Sequence, residues 1–419
     1  MGTAATSTTK WWPSSSLGQK NRVRQILIIC YIYGKYRILP FKNFRKALLL
    51  CILCAAGIPW AGRADPTGEQ QYWLELINQA RRDPAGELGR LVNYDSPTTF
   101  ASPASNDSDI AAALNFFGVS ASDLAAQWST LVAAPPLAWS NALGTSAASY
   151  SQLMVNTDQQ AHDIGGLTLD QNVVNAGYSA NYLDLADNLY AAAKSVSYAH
   201  AGFLVDWGDS DGDSGNGFGN GIQAGASHRE VTFDPLFKEI GIGIVKNGIP
   251  PGNVHATGPY VVTQHLGTQF REVGNLFIAD AILTGVVYSD NVLVNHFYTD
   301  GEGLSGVAVR VFDDATNTLL FAGATNDAGG YNIELQGVAD GELLRIEVPG
   351  FGVDRQYVTV TSHTTDPSIY GDPVKFYDNL YAGFAVTPEP GGAALLAFTG
   401  LIFGCRRRRF CFDKGRCFR

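Results

Sequence analysis

The chain has 419 residues, 46% of them hydrophobic and 16% charged, with a formal net charge of −10; that length suits two or three domains at roughly 100 to 200 residues each and permits sizeable cores. The charge is unevenly placed. Residues 1–64 and 405–419 are basic, whereas residues 65–404 hold 12 Lys/Arg against 38 Asp/Glu, a net of −26, which repels a phosphate backbone and argues against nucleic acid as a partner.

The cysteines, Cys30, Cys51, Cys54, Cys405, Cys411 and Cys417, all lie outside residues 55–404, so the body needs no disulfide, and cysteine usage alone does not fix its compartment. Residues 1–64 read as an N-terminal extension and signal peptide. Lys42, Arg45 and Lys46 precede the apolar run Ala47 to Ile58, and Gly62-Arg63-Ala64 forms a small-x-small cleavage site. A run of about a dozen residues is short beside the roughly 20 of a membrane span; an uncleaved anchor is the alternative. Residues 1–40 sit upstream of this signal with a second apolar run, Ile26 to Ile32, which suggests that translation starts later.

From Thr67 the pattern is helical, with Thr67 and Gln70 in capping-box spacing and Tyr72, Trp73, Leu76, Ile77 and Ala80 on one face. Asp83-Pro84 opens a second helix, Ala85 to Val92. After the polar stretch Asn93 to Asp109 come helical patterns at Ile110 to Phe117, Ser122 to Leu131 and Ser140 to Asn156. His162 follows. A further helix runs through Val173 to Ala176, then come Asp184 to Ala193 and one helix over Ser195 to Trp207. A Gly/Asp loop leads to His228, after which strands are expected at Ile240 to Val245 and Tyr260 to Gly267.

Six segments in this order carry a family resemblance: YWLELINQARRDPAGE at Tyr72 to Glu87, PLAWSNAL at Pro136 to Leu143, His162, ADNLY at Ala186 to Tyr190, SHREVTFDPLFKEIGIGI at Ser227 to Ile244, and YVVTQHLG at Tyr260 to Gly267. Residues 65–272 thereby resemble a CAP, or SCP-like, domain (cysteine-rich secretory proteins, antigen 5 and pathogenesis-related 1). The resemblance implies an α+β fold, a three-layer α-β-α sandwich around an antiparallel sheet.

Residues 280–365 turn β-rich, with strands expected at Leu283 to Tyr288, Val307 to Asp313, Thr318 to Ala324, Gly330 to Leu335, Glu342 to Val348 and Gln356 to Thr361, a small all-β sandwich. GVVYSD, DGEGLSGVAVRVFD and TNDAGGYNIEL resemble Ig-like and carboxypeptidase-regulatory-like domains of bacterial surface proteins. Residues 366–386 read as a linker. In 387–409, Thr387-Pro388-Glu389-Pro390, an apolar stretch to Cys405 and Arg406 to Arg409 are similar to a PEP-CTERM sorting signal; residues 410–419 form a tail. That resemblance implies a Gram-negative host, transient inner-membrane contact and an exosortase-type sorting protease as partner.

The CAP resemblance implies a cleft bearing two histidines and two acids. His162 and His228 match the histidines by position, and Asp187 replaces the family glutamate with a side chain one methylene shorter. The fourth acid is assigned to Asp170, with Asp163 and Asp184 as rivals. Such a set suits Zn²⁺ or another divalent metal; the alternative for His228 is that it satisfies neighbouring backbone groups. Asp209, Asp211 and Asp213 have the alternate spacing of a calcium loop, but Ser214 and Asn220 stand where that loop needs Gly and Glu, so a solvated acidic loop is the competing account. His200, His255, His265, His296 and His363 are read as structural or surface. No Gly-x-Ser-x-Gly elbow, Walker loop or His-Glu-x-x-His occurs. The expectation is a secreted or surface-sorted protein that binds a lipid, glycan or protein without catalysis, the alternative being a metal-dependent hydrolase. N-terminal sequencing of the exported protein is expected to place the mature start near Ala64, and a start well before Ala61 would remove the signal reading.

Overall fold

The computed structural model describes residues 65–92, 104–210, 218–247, 257–350, 355–365 and 373–386. The signal region, Asp211, Asp213 and the sorting signal lie outside them. Helix α1 spans Gly68–Arg82 and begins as expected, with Thr67 and Gln70 closing a capping box that satisfies two orphan donors. Asp83 ends it and accepts from Gly86 N to start α2, Pro84–Leu91. Helix α3 (Ser108–Phe117) is capped by Asp107 and stopped by left-handed Gly118, and α4 (Ala121–Trp128) is capped by Ser120. The short strand β1 (Ala138–Trp139) leads through Ser140 into α5, Asn141–Thr157. Then come α6 (Leu169–Asn175), β2 (Tyr182–Ala193) and α7 (Val196–Ala201). After α8 (Ser227–Phe233) the strands β3 (Glu239–Lys246) and β4 (Tyr260–Gln269) complete the layer.

Two expectations change in this first region. Asp184 to Ala193, placed by the sequence in a run of helices, is strand, because its Ala/Leu/Tyr content fits either period and the ladder to β4 decides. The single helix expected over Ser195 to Trp207 is α-helical only to Ala201 and passes into a π-helical turn, Gly202–Asp206.

The sheet order is β1-β3-β4-β2, with β1 parallel to β3 and the remaining pairs antiparallel. Its two faces are built differently by one alternating stretch, EIGIGIVK of β3. Successive strand residues point to opposite faces. Ile240 and Ile242 join Trp73, Leu74, Ile77, Phe203, Leu204 and Phe233 in the main core beneath α1, α7 and α8. Gly241 and Gly243 face α5, where an added Cβ would lie 1.9 Å from Gly144 N and 2.3 Å from the Ala147 carbonyl carbon. Backbone packs on backbone there, so no side chain fits.

The C-terminal strands are β5 (Arg271–Val273), β6 (Leu276–Ala279), β7 (Ala281–Ser289), β8 (Ala308–Asp313), β9 (Thr318–Ala324), β10 (Gly330–Leu335), β11 (Leu343–Glu347) and β12 (Gln356–Thr359). They continue with β13 (Ser362–Thr364), β14 (Val374–Tyr377), β15 (Leu380–Tyr381) and β16 (Phe384–Val386). All six strands read from the alternating pattern are present. One four-stranded sheet joins β10, β7, β15 and β16, another runs β12-β11-β8-β9, and Leu283, Val309, Val311, Ile333, Leu344 and Ile346 share a buried core between them. The linker expected over 366–386 is corrected over its described part. Residues 374–386 hold three short strands, with Val374, Phe376 and Phe384 buried and β16 parallel to β7; each run is too short for periodicity to register.

Gly241→Ala is expected to destabilise the fold by about 3 kcal/mol, the upper end of the overpacking range because the obstructing atoms are backbone. Urea denaturation checks this; a change below about 0.5 kcal/mol would mean that α5 does not pack so closely.

Candidate functional site

The candidate residues gather at the free edge of the sheet, strand β2. Asp187, Leu189 and Ala191 share one face with α5: Leu189 and Ala191 pack with Tyr150 and Met154, and Asp187 lies opposite His265, whose Nδ1 is 3.0 Å from Ser146 Oγ of α5. Asn188 points to the other face, where its amide donates to the His228 carbonyl (3.3 Å) and to Gln264 Oε1 (3.0 Å). The two histidines therefore meet residues on different faces of β2.

His162, in the segment after α5, has Nδ1 2.9 and 3.0 Å from the two carboxylate oxygens of Asp187. The shorter aspartate reaches its partner after all. Nδ1–H donates to the carboxylate, which leaves Nε2 as the unprotonated acceptor when the ring is neutral. The bond to Asp187 raises the His162 pKa against the opposing effect of partial burial. Burial dominates at His265, which is pulled down to about 4 and belongs to the packing beneath the pair.

His228 opens α8 and pairs with a different carboxylate. Its Nδ1 is 2.7 Å from Asp206 Oδ1, and its backbone N–H donates to Asp206 Oδ2 at 3.0 Å. Gln223 Nε2 donates to the same Asp206 Oδ1 at 2.9 Å. Asp206 is fully buried and has φ 58, in the left-handed region that Asp tolerates better than most residues. It ends the π-helical turn, a departure from α geometry that often marks functional sites. Ala226, just before α8, has φ 47, so both ends of the segment aiming His228 hold uncommon backbone.

Asp170 takes no part in either pair. It lies exposed in the first turn of α6 and accepts from the Thr168 hydroxyl. The rival Asp184 accepts from Leu185 N, and Asp163 is exposed. The carboxylate that meets His228 is Asp206 and none of these three. Its sequence signal is weak, since Asp206 opens an Asp-rich loop that reads as calcium-binding or solvated, and Asp209 is that loop's one described candidate. No group of three or more His, Cys, Asp or Glu side chains among the described residues is placed to hold a metal.

A small cleft of about 140 Å³ opens at this edge, lined by Gln160, Tyr190, Phe203, Trp207 and His228 among others. Gln160 covers the strand edge, accepting from Ala191 N at 2.8 Å and donating to Leu189 O at 3.4 Å. Trp207 Nε1 donates to Tyr190 Oη at 3.1 Å, and the His228 ring stacks on Phe203 with centroids 5.4 Å apart. Gly202 permits this convergence, since a Cβ there would come 2.6 Å from the Tyr190 ring. The result is an aromatic pocket with one imidazole and two amides, Gln160 and Gln223.

Because its folded pKa is raised, the His162–Asp187 pair contributes stability in full below the unfolded histidine value near 6.5, and that contribution is lost as pH rises through the raised value. NMR titration of His162 is expected to give a midpoint above about 6.5 that Asp187→Asn returns to about 6.5; an unchanged midpoint would show that Asp187 does not hold the proton.

Residues 74–264 match the CAP family, described as the cysteine-rich secretory protein family. No curated protein matches the chain. Among solved structures, an extracellular SCP-domain protein from Bacillus anthracis is similar at 17% identity and TM-score 0.23, covering 36% of this chain; the chain spans 39% of that protein. An outer surface protein of Borrelia burgdorferi is similar at 15% identity and TM-score 0.23, covering 35% of this chain and 88% of its own. The major plantain pollen allergen Pla l 1 is similar at 16% identity and TM-score 0.16, covering 27% and 99%. The likeness to this family is thus carried by residues 74–264.

Proposed function

We propose that this is an exported CAP-domain protein whose cleft beside His228 binds a ligand without turning it over. The observation that supports this most is that the two imidazoles have separate partners: His162 pairs with Asp187 of β2, whereas His228 pairs with Asp206 and its carbonyl accepts from Asn188, on the other face of β2. General acid–base or metal chemistry needs groups that converge on one reacting atom. Aromatic walls with a small set of polar groups, Gln160, Gln223 and His228, fit a binding pocket, and about 140 Å³ takes one planar group of a lipid, glycan or protein. In this reading the signal peptide exports the chain, the C-terminal β region serves as an Ig-like spacer or adhesion module, and the PEP-CTERM-like tail brings a transient membrane anchor and an exosortase-type protease. No described helix is long and apolar enough to cross a membrane, and the tail lies outside the described residues.

One feature favours the hydrolase reading. A carboxylate on Nδ1 is the outer-shell partner that orients metal-ligating histidines, and both rings have one. His162 and His228 would then offer Nε2 to Zn²⁺, with water activation as the chemistry supplied. Metal analysis of the full chain and a peptide-library assay, each with and without added Zn²⁺, separate the two. We expect neither stoichiometric zinc nor cleavage; zinc-dependent cleavage lost in His228→Ala would replace binding by hydrolysis.

A further inference from the structure

A larger cavity, about 420 Å³, lies where the CAP sheet meets the C-terminal strands. It is within the range of small-molecule sites and is distinct from the His228 cleft, sharing none of its lining residues. We propose that it binds a neutral, hydroxyl-rich ligand, one or two sugar units in size.

Strand alternation creates its polar wall. On β10, Tyr331, Ile333 and Leu335 point into the C-terminal core, so Asn332, Glu334 and, just beyond, Gln336 turn outward and line the cavity. The facing wall comes from the end of β4 and the start of β5, where Gln269, Phe270 and Arg271 lie in sequence, with Trp139 of β1 beside them. Asn332 fixes the walls to each other by donating to the Trp139 carbonyl at 2.9 Å.

The charged groups there are already spoken for, and that sets the ligand class. Arg271 is paired through two nitrogens with Asp280. Glu239 is buried and accepts from Tyr178 Oη (2.8 Å) and Gln269 Nε2 (2.9 Å). Lys238 donates to the Tyr377 carbonyl, and burial brings its pKa down to about 7. An anion meets three carboxylates and no uncommitted cation, while a metal cation meets carboxylates already holding donors. Amides and one neutralised ion pair, Arg271–Asp280, present both donors and acceptors, which matches hydroxyl groups. No protein donor reaches Gln269 Oε1 or Asn332 Oδ1 among the described residues. Phe270, edge-on to Phe277 at 5.2 Å, and Trp139 supply apolar surface for the C–H face of a pyranose.

The test uses the full chain and a panel of neutral disaccharides, cellobiose, lactose, maltose and chitobiose, by saturation-transfer NMR and calorimetry, with sodium phosphate as the anion probe. At least one disaccharide is expected to bind at or below millimolar concentration, with affinity lowered tenfold or more by Phe270→Ala and several-fold by Glu334→Ala. Val294→Ala, on a remote exposed loop, should leave it unchanged. Melting temperature checks folding; because Glu334 is exposed, its variant keeps the test intact should Phe270→Ala unfold. No binding by any of the four, binding insensitive to the folded variants, or phosphate binding in place of sugar would overturn the proposal and leave a wet junction between two regions.

Discussion

The fold of the region that resembles the CAP family depends on how one buried guanidinium is satisfied. Arg81, near the end of α1, is fully buried, and among the described residues its hydrogen bonds all go to main-chain carbonyls. Its nitrogens donate to those of Pro135 (2.7 Å), Thr232 (2.6 Å), Asp234 (3.0 Å) and Phe237 (3.3 Å). Burial lowers its pKa to about 9, still well above neutrality, so the charge is retained and the carbonyl cage must compensate it. One turn earlier Asn78 bonds both polar groups of Leu137, donating to its carbonyl at 3.0 Å and accepting from its amide at 2.7 Å. Together they fix the entry to β1, the end of α8 and the entry to β3 against a single helix face, and α8 carries His228.

From that anchor the two faces of the sheet follow different rules. On one, Ile240 and Ile242 meet a side-chain core; on the other, glycine lets α5 approach as bare backbone. Strand β2 closes the sheet with a free edge, and the candidate groups collect there because an edge is where both faces remain open to solvent. Covering by Gln160 also protects that edge from pairing with another chain. The cleft is thus an outcome of sheet closure as much as of its lining residues.

The junction with the C-terminal strands is sealed by polar groups. Asn379 donates to the carbonyls of Pro136 (3.0 Å) and Lys238 (2.7 Å), and Tyr381 Oη donates to Glu75 Oε2 at 2.6 Å. Glu75 is buried, which raises its pKa, and the Arg82 guanidinium lies 3.9 Å from the centre of the Tyr381 ring. Directional contacts of this kind fix one orientation more strictly than an apolar interface of equal area, since any slip leaves buried donors and acceptors unpaired. The two regions are held as a unit, and a cavity at their boundary keeps a definite shape.

The order of amino acids dictates the local features on its own. Thr67 with Gln70 starts α1, Asp83-Pro84 starts α2, and the alternating runs from Leu283 onward are strands within a residue or two, because caps and periodicity act over a few residues. The succession of short motifs likewise singles out His162, Asp187 and His228. Long-range packing, in contrast, is what assigns Asp206 to His228, brings the two histidines to residues on different faces of β2, and docks the short strands within residues 374–386 on the rest. Each of those depends on partners far along the chain: a ladder to β4 for Asp187, a π-helical turn for Asp206, and Glu75 or Pro136 for the last strands. Hydrogen bonds across such separations leave no periodic trace in the linear chain, so folding alone reveals them.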